Sequence, residues 1–182
     1  MFLERAKRFQ RPHFEDAAAM AKLHVQCWRE AYSAIVPPEL VARFEIAHMI
    51  VRWQEHLSKS DRYIEAVYED ELPIGFVNSG SPVEKIHDEM DGHIAALYVA
   101  QSHYRQGLGR KLMALAAADW LRRGGRSISL GVLAENARAR AFYEATGGRL
   151  VKTGTYDWHG FRLEDAIYVF EDLPGLAASV GQ

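Results

Sequence analysis

The segment YVAQSHYRQGLGRKLM, Tyr98 to Met113, sets an apolar strand-like run, a polar loop, Gly107-Leu108-Gly109 and a helix start in succession, with Arg105, Arg110 and Lys111 around the glycines. Such a segment can bind an anion. Unpaired N–H groups and the positive end of a helix dipole face an incoming phosphate, glycine lets the backbone come close, and the cations add charge-assisted bonds. The same residues also suit a tight strand-to-helix turn that needs glycine only for its dihedrals, and the loop alone leaves both readings open. It is not a P-loop, because no Gly-Lys-Ser/Thr follows at the required spacing. Leu112 stands where a dinucleotide fingerprint needs its third glycine, so nucleotide hydrolysis and hydride transfer both lose ground. His24, His48 and His56 show no spacing that compels a metal site, and no metal is expected.

These groups need elements to hold them. HIAALYV, His93 to Val99, is nearly all apolar and short, as expected of a strand buried on both faces. The helix after the glycines carries Leu108, Leu112, Ala116 and Trp120 at i, i+4 spacing until Gly124-Gly125 ends it. A strand with Ile128, Leu130 and Val132 on one face follows, then a helix over about Asn136 to Ala145 and two strands, Leu150 to Tyr156 and Glu164 to Phe170. Upstream, a strand-like Lys7 to Arg11 leads into a helix with Met20, Leu23, Cys27 and Trp28 at helical spacing. After Pro37-Pro38, a second helical pattern runs through Leu40, Phe44, Ile50, Trp53 and Leu57 to about Lys59. YIEAVYEDELPIGFVNSG reads as a hairpin turning at Asp70-Glu71, PVEKIHDEMDG as a polar connection, and the tail from Leu173 as peripheral. The economical architecture is a mixed α/β sheet covered by helices on both faces.

A second segment, SLGVLAENARARAFYEATGG, completes a pattern with the first. Together they resemble the GNAT superfamily of acyl-CoA-dependent N-acetyltransferases, whose loop runs Arg or Gln, two residues, then Gly-x-Gly or Gly-x-Ala. Asn136, Ala139, Phe142, Tyr143 and Gly147 fall in step with its second CoA-facing segment. There are two departures: Tyr104 holds the position of the first Arg or Gln, with Arg105 beside it, and Gly148 replaces the usual aromatic or aliphatic residue after the glycine. The resemblance spans nearly the whole chain. It implies a single GNAT-like domain over residues 1–182, with a mostly antiparallel sheet of about seven strands, one splayed parallel pair, and flanking helices.

It also implies a site. Acetyl-CoA is the cosubstrate, its pyrophosphate held mainly by main-chain N–H groups of Tyr104, Arg105, Gln106, Gly107, Leu108, Gly109 and Arg110. Its pantetheine inserts beside Leu97, Tyr98 and Val99 as a false strand, and Asn136 and Ala139 contribute from the next helix. The Leu97 N–H becomes the oxyanion donor. Tyr143 becomes the general acid, since a phenol with a reference pKa of about 10 can protonate the departing thiolate. His93 stands where some members carry a glutamate base and could accept a proton near neutrality; Asp91, Glu65 and His87 are weaker candidates. Trp28 and Tyr32 fall where a subgroup covers its acceptor, with Tyr156, Trp158 and His159 as further lining residues.

Composition bounds the partners. The 182 residues carry a net charge of -2, which argues against a general nucleic-acid field, and no apolar run is long enough to span a membrane. Cys27 cannot form an internal disulfide, so the chain is expected to be cytoplasmic, with Cys27 a small buried hydrophobe. The expected reaction is direct acetyl transfer in a ternary complex to a primary amine, a small molecule first. A protein N-terminus or lysine is the alternative acceptor, and a non-catalytic acyl-CoA-binding module the alternative class. The resemblance also allows a homodimer.

Overall fold

The computed structural model describes residues 6–81, 92–158 and 160–179. The candidates Asp91, His87 and His159 and nearly all of the connection PVEKIHDEMDG lie outside them. One seven-stranded sheet carries the molecule, in the order β1-β2-β3-β4-β5-β7-β6. Its strands are β1 (Lys7–Gln10), β2 (Tyr63–Glu69), β3 (Leu72–Gly80), β4 (Gly92–Val99), β5 (Ile128–Leu133), β6 (Arg149–Trp158) and β7 (Phe161–Phe170). Every neighbouring pair is antiparallel except β4 and β5. The expected mixed sheet with one parallel pair is present.

Helix α4 (Leu108–Arg122) covers one face. Its Leu108, Leu112, Met113, Ala116 and Ala117 join Val77, Ile94, Leu130, Val132 and Tyr168 in the largest core cluster. Helices α1 (Ala17–Tyr32) and α3 (Ile46–Ser58) cover the other face of β2 to β4, burying Met20, Leu23, Cys27 and Trp53 against Ile64, Ala66 and Phe76. A third cluster, Trp28, Tyr32, Val36, Leu40 and Leu133, covers the α1 side of the far strands. The one hydrophobic periodicity of α1 therefore serves two clusters, Trp28 turning into the second.

Three sequence expectations need correction. The pattern from Leu40 to Leu57 is two helices, α2 (Pro38–Arg43) and α3, broken at Phe44, where φ -83 and ψ 79 leave the helical region. Phe44 is spent on packing, its ring stacked 4.2 Å from that of Trp28. The tail is not peripheral: α6 (Leu173–Ala178) buries Leu173 and Leu176 in the main core, capped by the Asp172 carboxylate accepting from the Gly175 N–H at 2.9 Å. The last hairpin is longer than expected, because β6 runs on to Trp158 and β7 starts at Phe161. The Asp70-Glu71 turn is as read. Both residues have positive φ, 47° and 64°, the conformation a two-residue hairpin requires.

Candidate active site

The parallel pair is joined at only two positions, Gly92 with Ile128 and His93 with Ser129; beyond them the strands part. On its other edge β4 stays paired to β3 through Val99 with Gly75, after an irregularity that leaves Ala95 unmatched. The Ala100 N–H bonds the Ile74 carbonyl at 2.8 Å. Antiparallel ladders alternate, so Tyr98 and Ala96 turn their main-chain groups to β3, while Leu97 and Val99 turn theirs toward the gap that β5 has left. A slot with unpaired donors and acceptors on one wall results. The chain's own strands do not close that ladder, and the site fits an extended amide-bearing tail.

Below the slot the chain passes through a 3₁₀ turn, Gln101–His103, and reaches α4. Arg105 and Gly107 both adopt positive φ, 63° and 75°; at Gly107 this is the reason for glycine, since a side chain there would meet nothing within 4 Å. Gly109 is glycine for another reason, because an added Cβ would lie 3.3 Å from the Phe142 ring on the next helix. No side chain caps α4, and its first main-chain bond at this end runs from the Lys111 N–H to the Gly107 carbonyl. The N–H groups of Leu108, Gly109 and Arg110 therefore have no partner among the described residues at the positive end of the dipole, a cradle suited to phosphate.

The cations are placed less simply than their spacing suggested. Arg105 is exposed beside the cradle. Arg110 turns away, reaching the Ala145 carbonyl at 3.4 Å, and Lys111 lies 4.3 Å over the Phe9 ring. The cation nearest Tyr104 is one the sequence reading passed over: Arg138, in the first turn of α5 (Ala137–Ala145), with its guanidinium 4.2 Å over the Tyr104 ring. The only available signal was its place two residues after Asn136. Asn136 itself is the cap of α5, its side-chain oxygen accepting from the Ala139 N–H at 3.1 Å, and it also contacts the Tyr32 phenol.

Tyr143 is buried between Phe142, Tyr168 and Phe170, with ring centroids 5.4, 5.9 and 6.4 Å away. Its hydroxyl has no hydrogen-bond partner among the described residues, and burial first, then Tyr32, raises its pKa far above the usual phenol value, so the proton stays on. Tyr32 and Tyr98 contact one another, Tyr32 acts on Tyr143 electrostatically, and Tyr143 acts on Tyr98. The sheet, α1 and α5 thus bring together Tyr32, Tyr98, Asn136 and Tyr143, four residues scattered over more than a hundred positions. Trp28 is a core ring, 1% exposed. Tyr156 lies exposed on the last hairpin, and Trp158 packs 6.4 Å from Tyr32.

His93 sits at the closed end of the parallel pair. It bonds Ser129 Oγ at 3.2 Å, and burial, helped by Arg62, lowers its pKa to about 4. Glu65 is held by Tyr63 at 3.1 Å on β2, two strands from the slot. Among the described residues no group of three or more His, Cys, Asp or Glu is placed to hold a metal ion.

A sheet opened at one parallel pair above an uncapped helix N-terminus is the arrangement of an acyl-CoA-dependent acyltransferase. Comparison with known proteins narrows the class. The chain belongs to the GNAT acetyltransferase family, whose model matches residues 17–147, and it is an acyl-CoA-dependent N-acetyltransferase. It is 28% identical over 162 residues, 89% of this chain and 91% of the relative, to the uncharacterized N-acetyltransferase YuaI of Bacillus subtilis. Its fold is shared with PaiA N-acetyltransferase of Thermoplasma acidophilum, solved with coenzyme A, at TM-score 0.72 and 16% identity, covering 91% of this chain and 99% of that one. YncA of Salmonella typhimurium, solved with its cofactor acetyl-CoA, gives 0.68 and 15%, covering 91% and 94%.

Proposed function

We propose that this chain transfers the acetyl group of acetyl-CoA to the primary amine of a small molecule by direct attack in a ternary complex. The observation that carries the reading is the convergence of a protonated, unpartnered Tyr143 with Tyr32 and Tyr98 at the gap between β4 and β5. Bound there, acetyl-CoA supplies an activated acetyl thioester. The free N–H groups at the start of α4 hold its phosphates, and the main-chain groups of Leu97 and Val99 pair with its extended arm. The Leu97 N–H donates to the carbonyl oxygen as charge develops there, where a fixed dipole is worth most. Tyr143 gives its proton to the departing sulfur. His93, neutral above about pH 4, stands on the same sheet face as Tyr98 and is available to accept the amine's proton through water.

The test is free-thiol release with a panel of small amines and one N-terminal peptide, alongside direct measurement of acetyl-CoA affinity. Tyr143→Phe is expected to lower kcat by about a hundred-fold while acetyl-CoA affinity changes less than about two-fold. Tight acetyl-CoA binding with no amine-dependent thiol release by the parent would instead make the chain a binding module, and peptide turnover far above the small amines would reassign the acceptor.

A further inference from the structure

On the α1 side of the far strands the described residues leave part of the sheet exposed. Ser129 and Leu133 of β5 are buried, but Gly131 between them is exposed, as is Ala95 on neighbouring β4. Strand alternation puts Gly131 and Leu133 on one face, and puts Asp165 of β7 on that face with Phe161 and Leu163, which pack into the Tyr32 cluster. A side chain begun at Gly131 would meet Ile167 Cδ1 at 3.3 Å and Asp165 Oδ2 at 3.6 Å. Its other oxygen, Oδ1, is buried without a hydrogen bond among the described residues. The Trp158 indole N–H beside it also has no partner within strict hydrogen-bond geometry, yet it acts on the carboxylate as a donor and lowers its pKa, against burial, the larger cause, which raises it.

No cation of the described residues pairs with Asp165, whose charge instead acts on the Tyr32 phenol. A half-buried carboxylate with a bare oxygen costs free energy unless a positive group meets it. Tyr32 and Trp158, 6.4 Å apart by ring centroid, add aromatic surface that favours a cation over an anion. The position is also the right one: Tyr32 contacts Asn136 and acts on Tyr143, so whatever meets Asp165 lies one residue from the acid.

We propose that Asp165 is the anchor for the acceptor, which enters as a small organic ammonium ion over Gly131, gives up its proton through water before its nitrogen attacks, and carries no carboxylate of its own. The proposal rests on the acetyl-transfer reading above and names its substrate class. A carboxylate with no cation of the described residues beside it binds butylammonium and repels 4-aminobutyrate, which has the same chain length but an added negative charge.

Both amines would be compared in thiol release at saturating acetyl-CoA, in the parent and in Asp165→Asn. Binding of butylammonium would be followed separately through the Trp158 indole N–H resonance. The parent should prefer butylamine, and Asp165→Asn should raise its KM by about ten-fold or more and erase the preference, with acetyl-CoA affinity unchanged. An undiminished preference in Asp165→Asn overturns the anchor while leaving acetyl transfer standing. If the parent turns over neither amine, acetyl transfer to small amines fails, and the resonance titration still decides: about ten-fold weaker butylammonium binding in the variant supports the anchor, and equal binding refutes it. Should Asp165→Asn lose acetyl-CoA binding through misfolding, Asp165→Ser is put through the same comparison.

Discussion

In the proposed acetyl-CoA site, Arg138 and Tyr104 would divide between them what one residue does in the family pattern. Tyr104 occupies the place of a basic or amide side chain, and the cation comes from α5, held 4.2 Å over the tyrosine ring. An exposed charge-assisted contact to phosphate contributes on the order of 1–2 kcal/mol, so Arg138→Ala should weaken acetyl-CoA binding roughly ten-fold at low salt, with kcat nearly unchanged. A titration showing equal affinity would remove Arg138 from the cradle. The sequence named the glycines, Asn136 and Tyr143 because their spacing is local. It could not name Arg138, whose partner lies 34 positions away and is met only when α5 packs beside the loop. The other departure has a similar cause. A Cβ at Gly148 would meet Phe170 Cζ at 2.8 Å, so the ring the pattern expects after Gly147 has its space filled from β7.

At the scale of elements, α5 is the piece on which the proposed site turns, since the helix and its side-chain cap hold Asn136, Arg138 and Tyr143 within eight residues. Asn136→Ala should cost about 1 kcal/mol of stability through the lost cap, and should also raise the KM for acetyl-CoA because the helix start would fray. Urea unfolding and initial rates measure the two separately, and a loss of stability without any change in KM would make the cap purely structural. Strands and most helix ends were legible from periodicity, glycine and the Asp70-Glu71 turn. The break at Phe44 was not, because residues on both sides keep a helical spacing and the interruption serves the stacking on Trp28. Nor was α6, six residues long, too short for periodicity to declare itself. Asp165 escaped notice because nothing in the strand it occupies marks one acid as lacking a partner.

For the molecule as a whole, three partly buried histidines bear on stability. His24 among aromatic rings, His56 and His93 have pKa values lowered to about 3, 4 and 4, burial being the first cause in each. Unfolded, they titrate near the usual 6.5, so between pH 6.5 and about 4 the unfolded chain binds more protons. Their contribution is intact above pH 6.5 and lost as pH falls toward 4, at up to about 1.4 kcal/mol per pH unit for each. The Tm should therefore be flat above neutrality and drop steadily below pH 6, and His24→Phe should flatten that decline; a decline of unchanged steepness would locate the acid sensitivity elsewhere. The partial burial of these histidines could not be read from their spacing, which compels no metal site at His24 and His56 and sets His93 where some family members carry a base.

The joint between β4 and β5 consists of two residue pairs, and four strands lie on one side of it and three on the other. Among the described residues it has no continuous ladder across its open length, and the core under α4 joins its two sides. An extended ligand that bonds both lips would act as a splint, coupling the two halves as it binds, so that the tightness of the cosubstrate and the stiffness of the sheet become one quantity.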